Sequence, residues 1–131
     1  MTGFSFDTNI IIDHLEDRGL AESEIYRASQ QPGGAWISRM VWIEVMSKGA
    51  GPLLKETESY LARFGMDEIT SDIAARAALL RRERPRLKAP DAIVLATAQL
   101  RNRILVTRNI RDFPAGLPGV RIPYTLVQKD L

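Results

Sequence analysis

Apolar and polar positions along this chain fall into short blocks, and the blocks change period. Phe4-Ser5-Phe6 is an aromatic run that leads into Asp7-Thr8-Asn9 and on into Ile10-Ile11-Ile12. It predicts a first strand over Gly3–Phe6, buried on both faces, with Thr8 or Asn9 capping a helix that starts at once and ends near Gly19. His14 falls on that helix and reads as a partly exposed helix residue rather than a ligand. A second helix is expected over Ala21–Gln30, stopped by Pro32-Gly33-Gly34. Ala35–Ser38 reads as a second strand, and Ser38 can cap a helix over Arg39–Lys48 that Gly49 and Gly51 terminate. Pro52 suits the first turn of a helix over Leu53–Phe64. Met66–Thr70 is a candidate third strand, and Ser71-Asp72 opens a helix that stops before Pro85.

Two later blocks carry the strongest patterns. Pro90 suits the start of a helix through Ala98, and Ala92, Ala96 and Ala98 let it approach a sheet closely. Ile104-Leu105-Val106-Thr107 is a β-branched apolar run without alternation, the mark of a central parallel strand. Val120-Arg121-Ile122 fits a short edge strand between Pro118 and Pro123. Strands that alternate with helices in this way predict an α/β fold around a mainly parallel sheet.

Composition narrows the class. The chain has 131 residues, 45% of them hydrophobic and 26% charged. That is the size and make-up of one globular domain, spanning residues 1–131. It has no cysteine, which removes disulfides, thiolate metal sites and cysteine nucleophiles. No signal-like segment or membrane-length apolar run is visible, so a soluble cytoplasmic protein is expected. The net charge is +2, too small to identify a nucleic-acid binder by itself. Its distribution is more informative. Arg76, Arg81, Arg82, Arg84, Arg86 and Lys88 crowd one segment, and Arg101, Arg103, Arg108 and Arg111 follow. Such groups can hold phosphates, or form a solvated helix face and a basic loop.

The candidate chemistry lies at the strand ends. Asp7 follows the first strand, where open parallel sheets bind ligands. Asp91 falls in the first turn of its helix, where free amides and the helix dipole favour the ionised form. Asn109 and Asp112 follow the last buried strand. Glu44 sits among apolar neighbours in the helix after the second strand, so it either needs a partner or a metal, or lies on the exposed stripe in a salt bridge. Carboxylates that converge require a compensating charge. A hard divalent cation with oxygen ligands, Mg²⁺ or Mn²⁺, supplies it, and such an ion suits phosphodiester hydrolysis.

These stretches together resemble the motifs of PIN-domain nucleases: Phe6-Asp7-Thr8-Asn9-Ile10-Ile11-Ile12-Asp13, Ile43-Glu44-Val45, Pro90-Asp91-Ala92-Ile93-Val94-Leu95-Ala96-Thr97-Ala98, and Val106-Thr107-Arg108-Asn109-Ile110-Arg111-Asp112-Phe113. In detail they are similar to the VapC toxins of prokaryotic toxin–antitoxin pairs, over essentially the whole chain. The resemblance implies a three-layer α/β/α sandwich around a four- to five-stranded, mainly parallel sheet. It implies an endoribonuclease that cuts single-stranded regions of RNA with Mg²⁺ or Mn²⁺. The acidic quartet carries over as Asp7, Glu44, Asp91 and a fourth position shared between Asn109 and Asp112. Asp7 and Asp91 are then expected as direct ligands, Glu44 as a ligand directly or through water, and Asn109 and Asp112 as the rest of the shell. Thr8 and Thr107 are expected to orient carboxylates or waters. Arg108 and Arg111 are candidates to hold substrate phosphate, with surface salt bridges as the alternative.

The resemblance also implies a small DNA-binding, VapB-like antitoxin that presents an arginine to the acidic pocket. Homodimers and toxin–antitoxin hetero-oligomers follow from it, with no membrane partner. Trp42, Met46 and Tyr60 are candidates for those contacts, and equally for ordinary core packing. Two other readings compete. A non-catalytic PIN-like binding module keeps the fold and loses acids, whereas three are intact here. An Asp-based phosphatase or receiver domain wants a second acid near Asp7 or a late strand-end lysine, and this chain places Asn9 and Arg108 there. No G-x-G-x-x-G follows the first strand, which disfavours a dinucleotide-binding domain.

Overall fold

The computed structural model describes residues 2–48, 51, 53–114 and 116–126. Five strands and six helices alternate along it: β1 (Phe4–Phe6), α1 (Thr8–Leu15), α2 (Gly19–Ser29), β2 (Ala35–Ser38), α3 (Arg39–Lys48), α4 (Leu53–Leu61), β3 (Gly65–Asp67), α5 (Ser71–Glu83), α6 (Ala89–Leu100), β4 (Ile104–Val106) and β5 (Val120–Arg121). The strands form one sheet in the order β3-β2-β1-β4-β5. Every pairing is parallel. With helices on its faces this is the expected α/β/α sandwich. The helix stops assigned to Gly49 and the first-turn role assigned to Pro52 lie outside the described residues.

The order of the strands places the site. From β1 the chain steps to β2 and then to the β3 edge. It then returns to the other side of β1 through β4 and β5. The strand order reverses beside β1, and in open parallel sheets the crevice outside the carboxyl ends at such a point is where ligands bind. β1 and β4 are in register over Phe4↔Ile104, Ser5↔Leu105 and Phe6↔Val106. The Asp7 amide extends the ladder by donating to the Val106 carbonyl at 2.9 Å. Asp7 and Thr107 therefore leave the sheet side by side.

Local chemistry explains the element ends. The residue that caps α1 is Asp7 itself, rather than Thr8 or Asn9. Its backbone is extended, with φ −72° and ψ 160°, and its carboxylate accepts from the Thr8 amide. Ser38 caps α3 as expected, its hydroxyl accepting from the Met40 amide at 3.0 Å. β3 ends at Asp67 rather than Thr70. Its neighbour β2 supplies partners only as far as Ser38↔Asp67 before turning into α3. Where β1 and β2 begin, two glycines cross. A Cβ on Gly33, which has φ +92°, would sit 2.3 Å from the Gly3 nitrogen. Only glycine permits both that conformation and that approach.

The core is continuous across the sheet. Phe6, Ile10, Ile11, Ile37, Val41 and Leu105 are fully buried. So is Phe113, which pins the segment after β4. Burying such a ring contributes roughly 1.5–3 kcal/mol, enough to fix the loop that carries Asn109 and Asp112. α6 buries Ala92, Val94, Leu95, Ala96, Thr97 and Ala98. That makes it the central helix its small residues predicted, and it fixes Asp91 in the first turn.

Candidate functional site

Asp7 is the most constrained acid of the site, only 5% exposed. One carboxylate oxygen accepts from the Thr8 amide at 2.8 Å, and the other from the Thr107 hydroxyl at 2.7 Å. The Thr107 oxygen in turn accepts from the Asn9 side chain at 3.2 Å and from the Asn109 amide at 3.0 Å. Glu44 reaches the same place from α3, where its Oε1 accepts from the Thr8 hydroxyl at 2.6 Å. Asp91 enters from α6, near enough to Asp112 for the charge of one to act on the other. Asn109 holds Asp112 in place, its side-chain amide donating to the Asp112 carboxylate at 3.0 Å. Asp7, Glu44, Asp91 and Asn109 line one cleft of about 320 Å³. Asp112 stands against Asp91 at its side.

The electrostatics record the crowding. Burial pushes the Asp7 carboxyl above its usual range against the donors Thr107 and Thr8, and the charges of Glu44 and Asp112 add to the rise. Asp91 is pushed up to about 6, first by burial and then by the charges of Asp7, Asp112 and Glu44. Acidic neighbours that raise a carboxyl in this way favour a cation among them.

The donor set fits a hard cation. It consists of carboxylate and amide oxygens without histidine or thiolate, which suits Mg²⁺ or Mn²⁺ and not a structural zinc. Among the described residues no three histidine, cysteine or acidic side chains form a group already arranged to hold an ion. Mg²⁺ does not need one, because it keeps several waters and takes one or two carboxylates from the protein.

Arg108 and Arg111 separate. Arg108 donates to both carboxylate oxygens of Asp13, at 2.6 and 2.9 Å, and its amide donates to Asn9 at 3.1 Å. Its guanidinium is therefore in an ion pair, although it still borders the cleft. Arg111 is exposed. Asp13, 1% exposed, also accepts from the Tyr124 hydroxyl at 2.8 Å. Burial would raise its pKa, but the Arg108 fork and Tyr124 outweigh it and hold the carboxyl below the usual range.

Three residues of this region were not singled out by sequence reasoning. Lys48 lines the cleft beside Glu44. Its signal was present, since residues four apart share a helix face. Asn9 joins Asp7, Thr107 and Arg108, and only the polar D-T-N run hinted at that. Asp13 had no local signal, because two of its partners lie about a hundred residues away in sequence. His14 is half-buried against Tyr60, with Nδ1 2.7 Å from the phenolic oxygen. It lines a separate hollow of about 520 Å³ with Tyr26, Arg63 and Phe64. That hollow gathers no cluster of acids, so the candidate chemistry stays in the smaller cleft.

A parallel five-stranded sheet with acids gathered at its point of strand reversal is the architecture of a PIN-type α/β/α domain. The family model described as "PIN domain" matches residues 5–115, and the chain belongs to that family. Among solved structures it is similar to a chain of a toxin–antitoxin complex from Klebsiella pneumoniae, with 40% identity and a TM-score of 0.82, covering 95% of this chain and 100% of that one. It shares its fold with a chain of DNA-bound VapBC from Salmonella typhimurium, at 22% identity and a TM-score of 0.75, covering 92% and 96% of the two chains. It shares it also with a chain of FitAcB from Neisseria gonorrhoeae, at 18% identity and a TM-score of 0.73, covering 94% and 99%. A search of curated proteins returns no match. No helix among the described residues is long and apolar enough to cross a membrane.

Proposed function

We propose that this chain, with residues 1–131 acting as one PIN-like unit, is a Mg²⁺- or Mn²⁺-dependent endoribonuclease. In this reading it is the cytoplasmic toxin of a VapBC-type pair, held as a homodimer and in hetero-oligomers with a small DNA-binding antitoxin. The observation that carries the reading is the convergence of Asp7, Glu44 and Asp91 at the sheet's switch point, with Asp91 raised to about 6 by burial and then by its acidic neighbours. The likeness to a chain of a toxin–antitoxin complex at 40% identity supports the partner.

Asp7 and Asp91 would hold the ion directly, Glu44 directly or through water, with Asn109 and Asp112 completing the shell. When bound, the ion supplies a water acidified enough to attack phosphorus and positive charge beside the attacking and leaving oxygens. The chain's own residues supply position. Thr107 and the Thr8 amide fix the two oxygens of Asp7, and the Thr8 hydroxyl fixes Glu44. Asn109 orients Asp112. Arg111, exposed beside the cleft, would take a substrate phosphate. Arg108 reaches the same rim with its guanidinium held by Asp13.

The test is cleavage of structured and single-stranded RNA by antitoxin-free protein with Mg²⁺, with Mn²⁺ and with chelator, beside Asp91→Ala. Metal-dependent cutting that the substitution abolishes is expected. Cutting that survives both the chelator and Asp91→Ala would put the chemistry elsewhere.

A further inference from the structure

The acidic cleft does not end at Asn109. Asn9, Arg108 and Asn109 also line a second depression with Ile110 and Arg111. Arg111 in turn lines a third, of about 870 Å³, formed with Asp112 and the segment Arg84–Lys88. Neighbouring depressions share residues, so the three follow one another as a segmented trough from the carboxylates to the loop between α5 and α6. Its character changes along the way, from the acids of the cleft to Arg111, Arg86 and Lys88 at the far end.

That far end is braced. Leu87 is 1% exposed and anchors the loop in the core. Arg81 donates to the Leu87 carbonyl at 2.9 Å, the Leu87 amide donates to the Arg84 carbonyl, and Arg84 donates to the Asp112 carbonyl. Arg81 and Arg84 thus hold the loop against the site. Arg86, Lys88 and Arg111 stay exposed. Among the described residues the ion pairs are made by other arginines, such as Arg101, Arg103, Arg108 and Arg121. Among the described residues these three cations have no such partner; they sit on a fixed shelf and continue from a cleft that would hold a phosphate. Ile110, 56% exposed, gives the trough one apolar surface between its acidic and basic parts.

We propose that a single-stranded RNA leaving the cleft lies along this trough, with successive phosphates held by Arg111, Arg86 and Lys88. This rests on the nuclease reading and names the surface that aligns the substrate for it. Charge is the reason the surface is needed. An acidic cleft repels a polyanion, and fixed cations beside it restore attraction and set the strand's direction.

The test measures anisotropy of a short fluorescent single-stranded RNA bound to the full chain in chelator, across a salt titration. Arg86→Gln, Lys88→Gln and Arg111→Gln are compared with Arg63→Gln in the separate hollow, each first shown to melt like the parent. Each of the three should weaken binding and flatten the slope of log K against log salt by about 0.7, the share of one phosphate contact on a single strand. Arg63→Gln should do neither, and Arg86→Lys should restore the slope. Unchanged slopes in all three variants, no RNA binding by the parent, or equal losses on a duplex of the same sequence would each overturn the proposal. Metal-dependent cutting with unchanged slopes would sink the trough and leave the nuclease standing. Altered slopes in a protein that cuts nothing would do the reverse.

Discussion

The Thr107 hydroxyl donates a 2.7 Å hydrogen bond to the Asp7 carboxylate, tying the end of β4 to the end of β1 in a fully buried contact. The same oxygen accepts from Asn9 and from the Asn109 amide. One hydroxyl therefore organises the acid, the cap region of α1 and the loop that carries Asp112.

Replacing that hydroxyl tests its weight. Thr107→Val keeps the shape and leaves the buried Asp7 charge one donor short. A loss of about 1–3 kcal/mol is expected in urea denaturation at neutral pH. A change below a few tenths would mean that water replaces the hydroxyl at no cost.

Asp91 should trade stability for function. Its folded pKa is about 6 against an ordinary 3.8. The folded state therefore binds the extra proton between those values, and its contribution to stability is lost as pH rises through about 6. In chelator, Asp91→Asn should melt above the parent at pH 7, and the gap should close as pH falls toward 4. Added Mn²⁺ should raise the melting temperature of the parent more than that of the variant. A variant that melts below the parent at pH 7 in chelator would show that burial and acidic neighbours do not raise this group.

Asp13 should behave in the opposite sense. Its folded pKa is lowered, so its stabilising contribution is present above the ordinary 3.8 and disappears as pH falls through the folded value. Asp13→Ala strands Arg108 and Tyr124 and should cost about 3 kcal/mol, the low end for breaking a buried pair because Arg108 is 28% exposed. Combining it with Arg108→Ala should cost clearly less than the sum of the two single changes. Additive losses would deny the coupling.

Two glycines give opposite signs under one substitution. Gly33→Ala would drive a methyl into the Gly3 backbone at φ +92°. It should cost about 1–3 kcal/mol or more. Gly19 begins α2 with nothing within 4 Å of an added Cβ. Gly19→Ala should gain about 0.5–1 kcal/mol. Thermal melts of the two variants side by side are sufficient.

Much of the fold was readable because local signals agreed with each other. β2 and α3 appear at their expected bounds, where a turn, a β-branched strand and a serine cap follow in order. The strand at Ile104–Val106 was equally plain from its unbroken apolar run. The misses come from information the local sequence does not hold. β3 stops early because its neighbour ends, which no property of Glu68 or Thr70 reveals. Asp7 displaces Thr8 as the cap because pairing with β4 leaves its backbone extended. Of the site, the acids at strand ends and in the first turn of α6 were legible. Asp13 was not, since a carboxylate inside an apolar helix shows its purpose only once Arg108 and Tyr124 arrive from the far end of the chain.

The order of the strands also sets a timetable. β1 emerges first during synthesis and can pair with β2 as soon as Ser38 appears. The second oxygen of Asp7 waits for Thr107, and Asp91 and Asp112 arrive only shortly before or after it. At about 5–20 residues per second, the ribosome works for several seconds on a nascent chain whose central acid has no complete surroundings. Topology alone therefore leaves the acidic cleft incomplete until β4 and the loop that follows it have been made.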